Sequence, residues 1–292
     1  MLSLLAASGQ VADPIYWSEL GLRPYLFEIG GFQLRFYSLA YLIGVLFAYW
    51  HLSRMIKSTG APLAQRHADD LFFYCTLGVI IGGRLGYAVF YQPEMWSDPL
   101  QVLKLWEGGM SFHGGLIGVL IAIGWVAQRG KLSFLRVCDY IAVNVPMGMF
   151  LGRLANFNNG ELWGRATDVP WGMIFPDSRA GDVVRHPSQL YQAGLEGLLL
   201  LIILMLLFWK TNARYRPGLL VGVFTLGIGA ARFINEFFRE PDAQLAEFAA
   251  QTGLSMGQWL TIPLILTGLI VTIYAVRRKP VGTGTTTAPA NA

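Results

Sequence analysis

Charged residues are scarce in this chain. Only 14% of its 292 residues are Asp, Glu, Lys or Arg, whereas 54% are hydrophobic. Soluble domains ordinarily carry about 25% charged residues. The composition therefore excludes an ordinary soluble domain and indicates a protein that lies in a membrane.

Cysteine is also scarce. The two cysteines, Cys75 and Cys138, fall within or beside apolar stretches and have no partner at a disulfide or zinc-binding spacing. We interpret them as small buried side chains. The chain also lacks the H-E-x-x-H, G-x-S-x-G and Walker patterns, so the usual signatures of metalloproteases, α/β-hydrolases and ATPases are missing.

Long apolar runs dominate the sequence instead. A helix needs about 20 apolar residues to cross the roughly 30 Å of membrane hydrocarbon. Spans of this kind are predicted at 34–52, 70–91, 112–128, 135–155, 190–209, 218–238 and 257–276. The expected fold class is all-α, a polytopic membrane helix bundle with about seven transmembrane helices and a small outer loop region. We expect a single domain over residues 1–280 and a disordered tail over 281–292.

The basic residues give this bundle an orientation. Lysines and arginines follow the first, third, fifth and seventh spans, and acidic residues gather in the other loops. The positive-inside rule then predicts an outer N-terminus and a cytoplasmic C-terminus. The net charge of +4 fits an anionic membrane surface, and no basic run with interleaved aromatics indicates nucleic-acid binding.

Polar residues of the spans gather near their outer ends. They are Arg84 and Tyr87, His113, Arg153 and Asn156, His186, and Arg232 and Glu236. A buried arginine costs from about 3 to above 10 kcal/mol at the bilayer centre, and less toward the interface. A shared polar cavity is therefore more favourable than three separate arginines in lipid, although Arg84 alone could instead reach the interface by snorkelling.

The spacing of these residues predicts their partners. Arg153 and Asn156 are three residues apart, and Arg232 and Glu236 are four apart, so each pair shares a helix face. We expect Glu236 to orient Arg232. His113 begins a helix, where the dipole favours a neutral ring that can accept a proton. A purely structural histidine is the alternative.

Two further patterns concern packing and the membrane surface. Glycine pairs four residues apart predict close helix approach. They include Gly78 with Gly82, Gly82 with Gly86, Gly114 with Gly118, and Gly148 with Gly152. In "SDPLQVLKLWEGG", Leu100, Leu103 and Trp106 share one face, which predicts a short helix lying on the outer membrane surface.

Several arginines in an outer cavity point to an anionic ligand. Guanidinium groups match phosphate oxygens in bidentate pairs, and asparagine amides add neutral donors. We expect the phosphate of a lipid headgroup. The alternative function is a transporter or flippase for an anionic lipid or solute, but it needs access from both faces, and polar residues confined to the outer half disfavour it.

Four blocks of sequence carry a family resemblance. They are "GGMSFHGGLIG", "GRLANFNNGELWG", "RHPSQLYQAGLEG" and "GAARFINEFFREPD", in this order. Together they resemble the phosphatidylglycerol:prolipoprotein diacylglyceryl transferase family of bacterial inner membranes, over about 37–263. The resemblance implies seven helices with the N-terminus outside and an active site toward the periplasm. The expected chemistry requires no metal and no cofactor. It also implies the reaction, in which the diacylglyceryl group of phosphatidylglycerol passes to the lipobox cysteine of a prolipoprotein signal peptide. The products are a thioether and glycerol phosphate.

The resemblance also assigns residues. Arg153 and Arg232 would bind the lipid phosphate and stabilise the departing charge, and His113 matches the proposed catalytic base. The arginines alone could instead favour the thiolate. By resemblance the substrate-binding residues are Tyr37, Asn156, Glu161, Gly164, Glu236 and Arg239. Their position among the outer polar residues of the spans adds Arg84, Tyr87 and His186 to the expected substrate-binding set. Asn158 departs from the pattern, which usually has an apolar residue there.

Overall fold

The computed structural model describes residues 14–30, 32–98, 100–240 and 252–282. Its contacts divide the chain into two compact units. Unit 1 comprises Met1–Ile43, Gly148–Leu200 and Gly227–Leu266, and unit 2 comprises Gly44–Met147, Leu201–Leu226 and Thr267–Ala292. The single domain over 1–280 stays a prediction, and most of the expected disordered tail lies outside the described residues.

Helices make up most of the described chain. They are α1 (Phe36–Met55), α2 (Gln65–Phe90), α3 (Leu100–Leu103), α4 (Phe112–Arg129), α5 (Phe134–Ala142), α6 (Val145–Asn158), α7 (Ser188–Lys210), α8 (Leu219–Asn235) and α9 (Met256–Arg277). Six stretches are long and apolar enough to cross a membrane: α1, α2, α4, α5 with α6, α7 and α9. Helix α8 is apolar but shorter. The prediction of a helical membrane protein with about seven spans is confirmed, whereas its orientation stays a prediction.

The fourth span is divided between α5 and α6. The Asn144 side-chain amide donates to the Tyr140 carbonyl at 2.7 Å. In a continuous helix this carbonyl would instead accept from the backbone N–H of residue 144. Pro146 lies two residues further on and has no N–H to donate. A proline and a competing side-chain hydrogen bond therefore end α5 and restart the chain as α6.

Among the described residues, unit 1 contains four short strands. They are β1 (Ile15–Tyr16), β2 (Tyr25–Ile29), β3 (Phe32–Arg35) and β4 (Met173–Ile174). Strand β1 pairs in parallel with β4, and β2 pairs antiparallel with β3. A small core of Trp17, Phe175 and Ala180 lies beside them. Because the Trp17 indole donates to the Phe157 carbonyl at 2.8 Å, this region is fixed to the end of α6.

Glycines bring α2 and α4 together in unit 2. A Cβ built on Gly78 would lie 2.6 Å from the Gly118 carbonyl oxygen, and one on Gly86 would lie 2.8 Å from Gly114 Cα. The predicted close approach is confirmed for this helix pair. The prediction is wrong for Gly148 and Gly152, because a Cβ there would meet no atom within 4 Å in the described structure.

Candidate active site

A buried glutamate lies at the centre of the site in unit 1. Glu196 is 1% exposed and belongs to Ala193–Leu199, a π-helical segment within α7. Its Oε2 lies 3.7 Å from Arg153 Nη2 and 3.9 Å from Arg232 Nη1. Asn235 donates to its Oε1 at 3.3 Å. One carboxylate thus holds arginines from α6 and α8, and π-helical turns of this kind are frequent at functional sites.

These side chains surround a cavity of about 100 Å³. It is lined by Arg153, Leu162, Gln192, Glu196, Arg232, Asn235, Glu236 and Arg239. The three arginines and two glutamates leave one net positive charge, three minus two. A cavity with several guanidinium groups and one excess positive charge suits a monoanion such as a phosphate diester.

The structure corrects the predicted partner of Arg232. Glu236 pairs with Arg239, with 3.8 Å between its Oε2 and the Arg239 Nη1, whereas Arg232 pairs with Glu196. Glu236 also lies at the start of α9. A Cβ built on Gly257 would be 2.6 Å from Glu236 Oε1. A carboxylate beside a helix N-terminus is stabilised by the unpaired N–H groups there, so Glu236 is already held without Arg232.

The polar loop after α6 is built around Glu161. Its Oε1 accepts from Asn156 at 2.8 Å and from Asn159 at 3.0 Å. Asn156 in turn accepts from Arg153 Nη1 at 3.5 Å. A chain of polar contacts therefore runs from Glu161 through Asn156 to Arg153, and it positions the Arg153 side chain at the cavity.

Leu162 has an unusual backbone conformation in this loop. Its φ is 60°, in the left-handed region that residues other than glycine seldom adopt. Two side chains at the start of α7 hold the loop there. Ser188 donates to the Leu162 carbonyl at 2.9 Å, and Gln189 donates to the Glu161 carbonyl at 2.6 Å. These hydrogen bonds offset the strain and keep Leu162 against the cavity.

Gly164 lies between two other backbone segments. Its N–H donates to the His186 carbonyl at 2.9 Å, and it pairs with Arg239 as an antiparallel bridge. A Cβ built on Gly164 would lie 2.8 Å from both the Cβ and the carbonyl oxygen of His186. Only glycine fits this position. Gly164 therefore ties the polar loop to the segment that carries Arg239.

His186 lies in an aromatic cluster and does not line the cavity. Its Nδ1 is 3.1 Å from the Tyr191 hydroxyl, and its ring meets that of Phe238 at 5.2 Å between centroids. Burial lowers the pKa of His186, which favours the neutral ring. These contacts fix the position of His186, whose backbone carbonyl accepts from the Gly164 N–H.

Tyr37 is the second residue of α1 and belongs to unit 1. Its ring lies 5.3 Å from that of Tyr41, and 40% of the residue is exposed. It interacts electrostatically with Arg153 and Glu161. Tyr37 is therefore near the arginine site and accessible to a substrate.

Arg84 lies in unit 2 in a setting that differs from the expected phosphate site. Its guanidinium donates to five backbone carbonyls, those of Gln101, Val102, Lys104, Gly108 and Gly109. These account for the five N–H groups of an arginine. The third arginine of the cavity is Arg239, and Arg84 instead holds the 101–109 segment.

Tyr87 supports the same segment. It lies one turn after Arg84, with the guanidinium 5.9 Å from its ring centroid. A Cβ built on Gly109 would lie 2.7 Å from Tyr87 Cζ. Arg84 and Tyr87 thus pack against this segment and are not among the residues that line the arginine cavity, and substrate binding by either of them stays a prediction.

His113 is the second residue of α4 in unit 2. Ser111 caps this helix, since its Oγ accepts from the Gly114 N–H at 3.2 Å. The His113 ring is exposed and meets Phe112 edge-on. The predicted position at a helix start is confirmed, and its role as a base stays a prediction.

Sequence reasoning missed several residues of the cavity. They are Leu162, Gln192, Glu196 and Asn235. A signal was present for Glu196, because a carboxylate inside an apolar span is costly and is usually functional. Gln192 precedes Glu196 by four residues and Asn235 follows Arg232 by three, which places them on the same helix faces. No sequence signal marks the strained backbone of Leu162.

Known proteins resemble this chain along most of its length. A family model described as prolipoprotein diacylglyceryl transferase matches residues 24–274. Relatives named phosphatidylglycerol–prolipoprotein diacylglyceryl transferase include proteins of three bacteria. The protein of Erythrobacter litoralis is 66% identical over 93% of this chain and 96% of its own. The corresponding values are 49%, 92% and 96% for Zymomonas mobilis, and 48%, 89% and 94% for Rhodospirillum rubrum. The chain belongs to the prolipoprotein diacylglyceryl transferase family.

Proposed function

We propose that this protein transfers the diacylglyceryl group of phosphatidylglycerol to the lipobox cysteine of a prolipoprotein signal peptide. It would do so on the periplasmic side of a bacterial inner membrane. The observation that carries the proposal is the pair Arg153 and Arg232, held around one cavity by the buried Glu196. The family membership and the relatives' names support the same reaction over a transporter.

The arginines would bind the lipid phosphate. Each guanidinium can donate two parallel hydrogen bonds to phosphate oxygens. Glu196 keeps Arg153 and Arg232 from repelling each other and limits their motion, so little rearrangement is needed when the lipid enters. Arg239, held by Glu236, adds a third donor to the cavity.

The reaction needs a thiolate and a stabilised leaving group. The cysteine sulfur forms a bond to the glyceryl carbon, and the bond between this carbon and the phosphate oxygen breaks. Negative charge then grows on glycerol phosphate, where Arg153 and Arg232 can stabilise it. The thiol proton must pass to a base, for which His113 is the candidate because its ring is exposed at a helix start.

The test is a transfer assay with purified protein. In vesicles of phosphatidylglycerol, a lipobox peptide should gain the mass of one diacylglyceryl group while glycerol phosphate is released in equal amount. Arg153→Ala and Arg232→Ala should each lower the rate at least about a hundredfold, because each removes a donor to the developing charge. Arg179→Ala is the matched control, since the Arg179 side chain is 79% exposed and pairs locally with Asp177.

Two results would overturn the proposal. One is the absence of any lipidated peptide from folded wild-type protein. The other is movement of an anionic lipid or solute across proteoliposomes that the cysteine peptide does not alter, together with no transfer, which would instead establish a transporter.

A further inference from the structure

The arginine cavity also contains acceptors that have no hydrogen-bond partner. Gln192 Oε1, Glu196 Oε2 and Asn235 Oδ1 are buried and accept no hydrogen bond in the described part of the structure. Glu196 is compensated by its two arginines. The amide oxygens of Gln192 and Asn235 have no such compensation, and buried acceptors of this kind are rare because they are costly.

A phosphate diester cannot supply what these oxygens lack. Its oxygens only accept hydrogen bonds, so it satisfies the arginines and leaves the two amide oxygens unpaired. The orientation of the Asn235 amide is fixed, because its Nδ2 already donates to Glu196 at 3.3 Å. A ligand that carries hydrogen-bond donors next to its phosphate would satisfy both the arginines and these amide oxygens.

The charge of the cavity distinguishes between the hydrogen-bond donors that a lipid headgroup can carry. The cavity has one net positive charge, from three arginines and two glutamates. An ammonium headgroup would make the lipid zwitterionic and would place a further cation beside the arginines. Hydroxyl groups donate hydrogen bonds without adding charge, so the lipid remains a monoanion that matches the cavity.

We propose that Gln192 and Asn235 select the lipid headgroup, with their side-chain carbonyl oxygens accepting hydrogen bonds from its hydroxyl groups while the arginines bind its phosphate. The inference rests on the proposed transferase function and assigns headgroup selection to these two residues. A headgroup of the same size and charge without hydroxyl groups should leave both oxygens unpaired and bind less well.

The experiment compares two lipid donors in the transfer assay. Phosphatidylglycerol is measured against phosphatidylpropanol, which has the same phosphate charge and a headgroup of similar length but lacks both hydroxyls. Wild-type protein should prefer phosphatidylglycerol by at least about tenfold in kcat/KM, from the loss of two hydrogen bonds. In Gln192→Met and Asn235→Leu the preference should shrink by about threefold or more, mainly through slower transfer from phosphatidylglycerol.

Two further variants separate hydrogen bonding from other effects. Gln192→Glu keeps a hydrogen-bond acceptor but removes the excess positive charge of the cavity. It should therefore slow transfer from both lipids and leave the ratio of their kcat/KM values unchanged. Gln128→Met makes the same side-chain change at an exposed position near the end of α4, and it should alter neither rate. Thermal unfolding of each variant in detergent establishes that it is folded.

The outcomes separate this inference from the proposed function. Equal use of the two donors by wild-type protein overturns the inference, and this result needs no variant. An unchanged preference in folded Gln192→Met and Asn235→Leu also overturns it. Absence of transfer from both donors by folded wild-type protein contradicts the transferase function itself.

Discussion

Glu196 makes the arginine site possible at the level of single residues. Arg153 and Arg232 are like charges that repel each other, and burial of a guanidinium is unfavourable. A carboxylate between them offsets both effects, which is why a fully buried acid is placed within an apolar helix. The pair is then oriented before any lipid arrives.

Replacing Glu196 should weaken both stability and catalysis. Glu196→Gln keeps the hydrogen bond from Asn235 but removes the charge that holds the arginines. We expect the free energy of unfolding to fall by about 2 kcal/mol. This loss is smaller than for a fully buried ion pair, because the Arg232 side chain is 41% exposed. The transfer rate should fall at least about tenfold.

Thermal unfolding in detergent and the transfer assay measure these two effects. Glu94→Gln is the matched control, since Glu94 is exposed and lies outside the cavity. Equal stability and rate in Glu196→Gln and wild type would show that Glu196 does not organise the site.

Glycine substitutions test the geometry of the polar loop. Gly164→Ala places a Cβ 2.8 Å from His186, so the paired segments must separate, at a cost of about 1–3 kcal/mol. Gly148→Ala is the control, because its Cβ meets no atom within 4 Å in the described structure. That change should be neutral or stabilise the helix by about 0.5–1 kcal/mol. Similar unfolding temperatures for the two variants would contradict the packing of Gly164.

At the level of secondary structure, Arg84 links a spanning helix to an interfacial segment. The 101–109 segment contains part of α3 and carries exposed apolar side chains, with Leu103 at 69% and Trp106 at 80%. Its backbone carbonyls are held by Arg84 from α2. This arrangement fits the predicted segment on the membrane surface, since its apolar side chains are exposed while its backbone carbonyls accept hydrogen bonds from Arg84.

Arg84→Lys should loosen this segment. A lysine offers three donors from one atom and cannot reach carbonyls on several sides, so some carbonyls lose their partner. Hydrogen exchange of the 101–109 amides should become at least about tenfold faster, with α4 unchanged. Arg129→Lys, an exposed arginine at the end of α4, is the control. Unaltered exchange in Arg84→Lys would contradict this role.

The secondary structure was only partly predictable from the sequence. Hydropathy located the spans because every membrane-crossing helix must expose apolar side chains to lipid. It did not locate the π-helical segment around Glu196 or the ends of α5 and α6, since these depend on local backbone hydrogen bonding.

The site was predictable to a similar extent. The spacing of charged residues identified Arg153 and Arg232, which the structure does bring together. It misplaced Arg84, because a lone arginine near a helix end can equally satisfy backbone carbonyls, and its partners lie 17 to 25 residues away.

For the molecule as a whole, the distribution of charge predicts an orientation. Loops rich in lysine and arginine alternate with acidic loops, so we expect the C-terminus in the cytoplasm and the arginine cavity toward the periplasm. Substrates of the proposed reaction, an inner-membrane lipid and an exported precursor, would both be available on that side.

The orientation can be measured with a reporter that fluoresces only when it folds in the cytoplasm. Fused to the C-terminus, it should be fluorescent in cells, and fused to the N-terminus it should be dark at equal expression. A periplasmic phosphatase reporter should give the opposite pattern. A fluorescent N-terminal fusion or a dark C-terminal one would reverse the orientation.

The central claim is that Arg153 and Arg232 together bind one lipid phosphate, and retention of phosphatidylglycerol by the purified protein tests it most directly. Native mass spectrometry of the wild-type protein in detergent should show one bound phosphatidylglycerol. Arg153→Ala and Arg232→Ala should each weaken binding at least about tenfold, with Arg179→Ala unchanged. If both folded alanine variants retained phosphatidylglycerol as strongly as the wild-type protein does, this result would contradict the account.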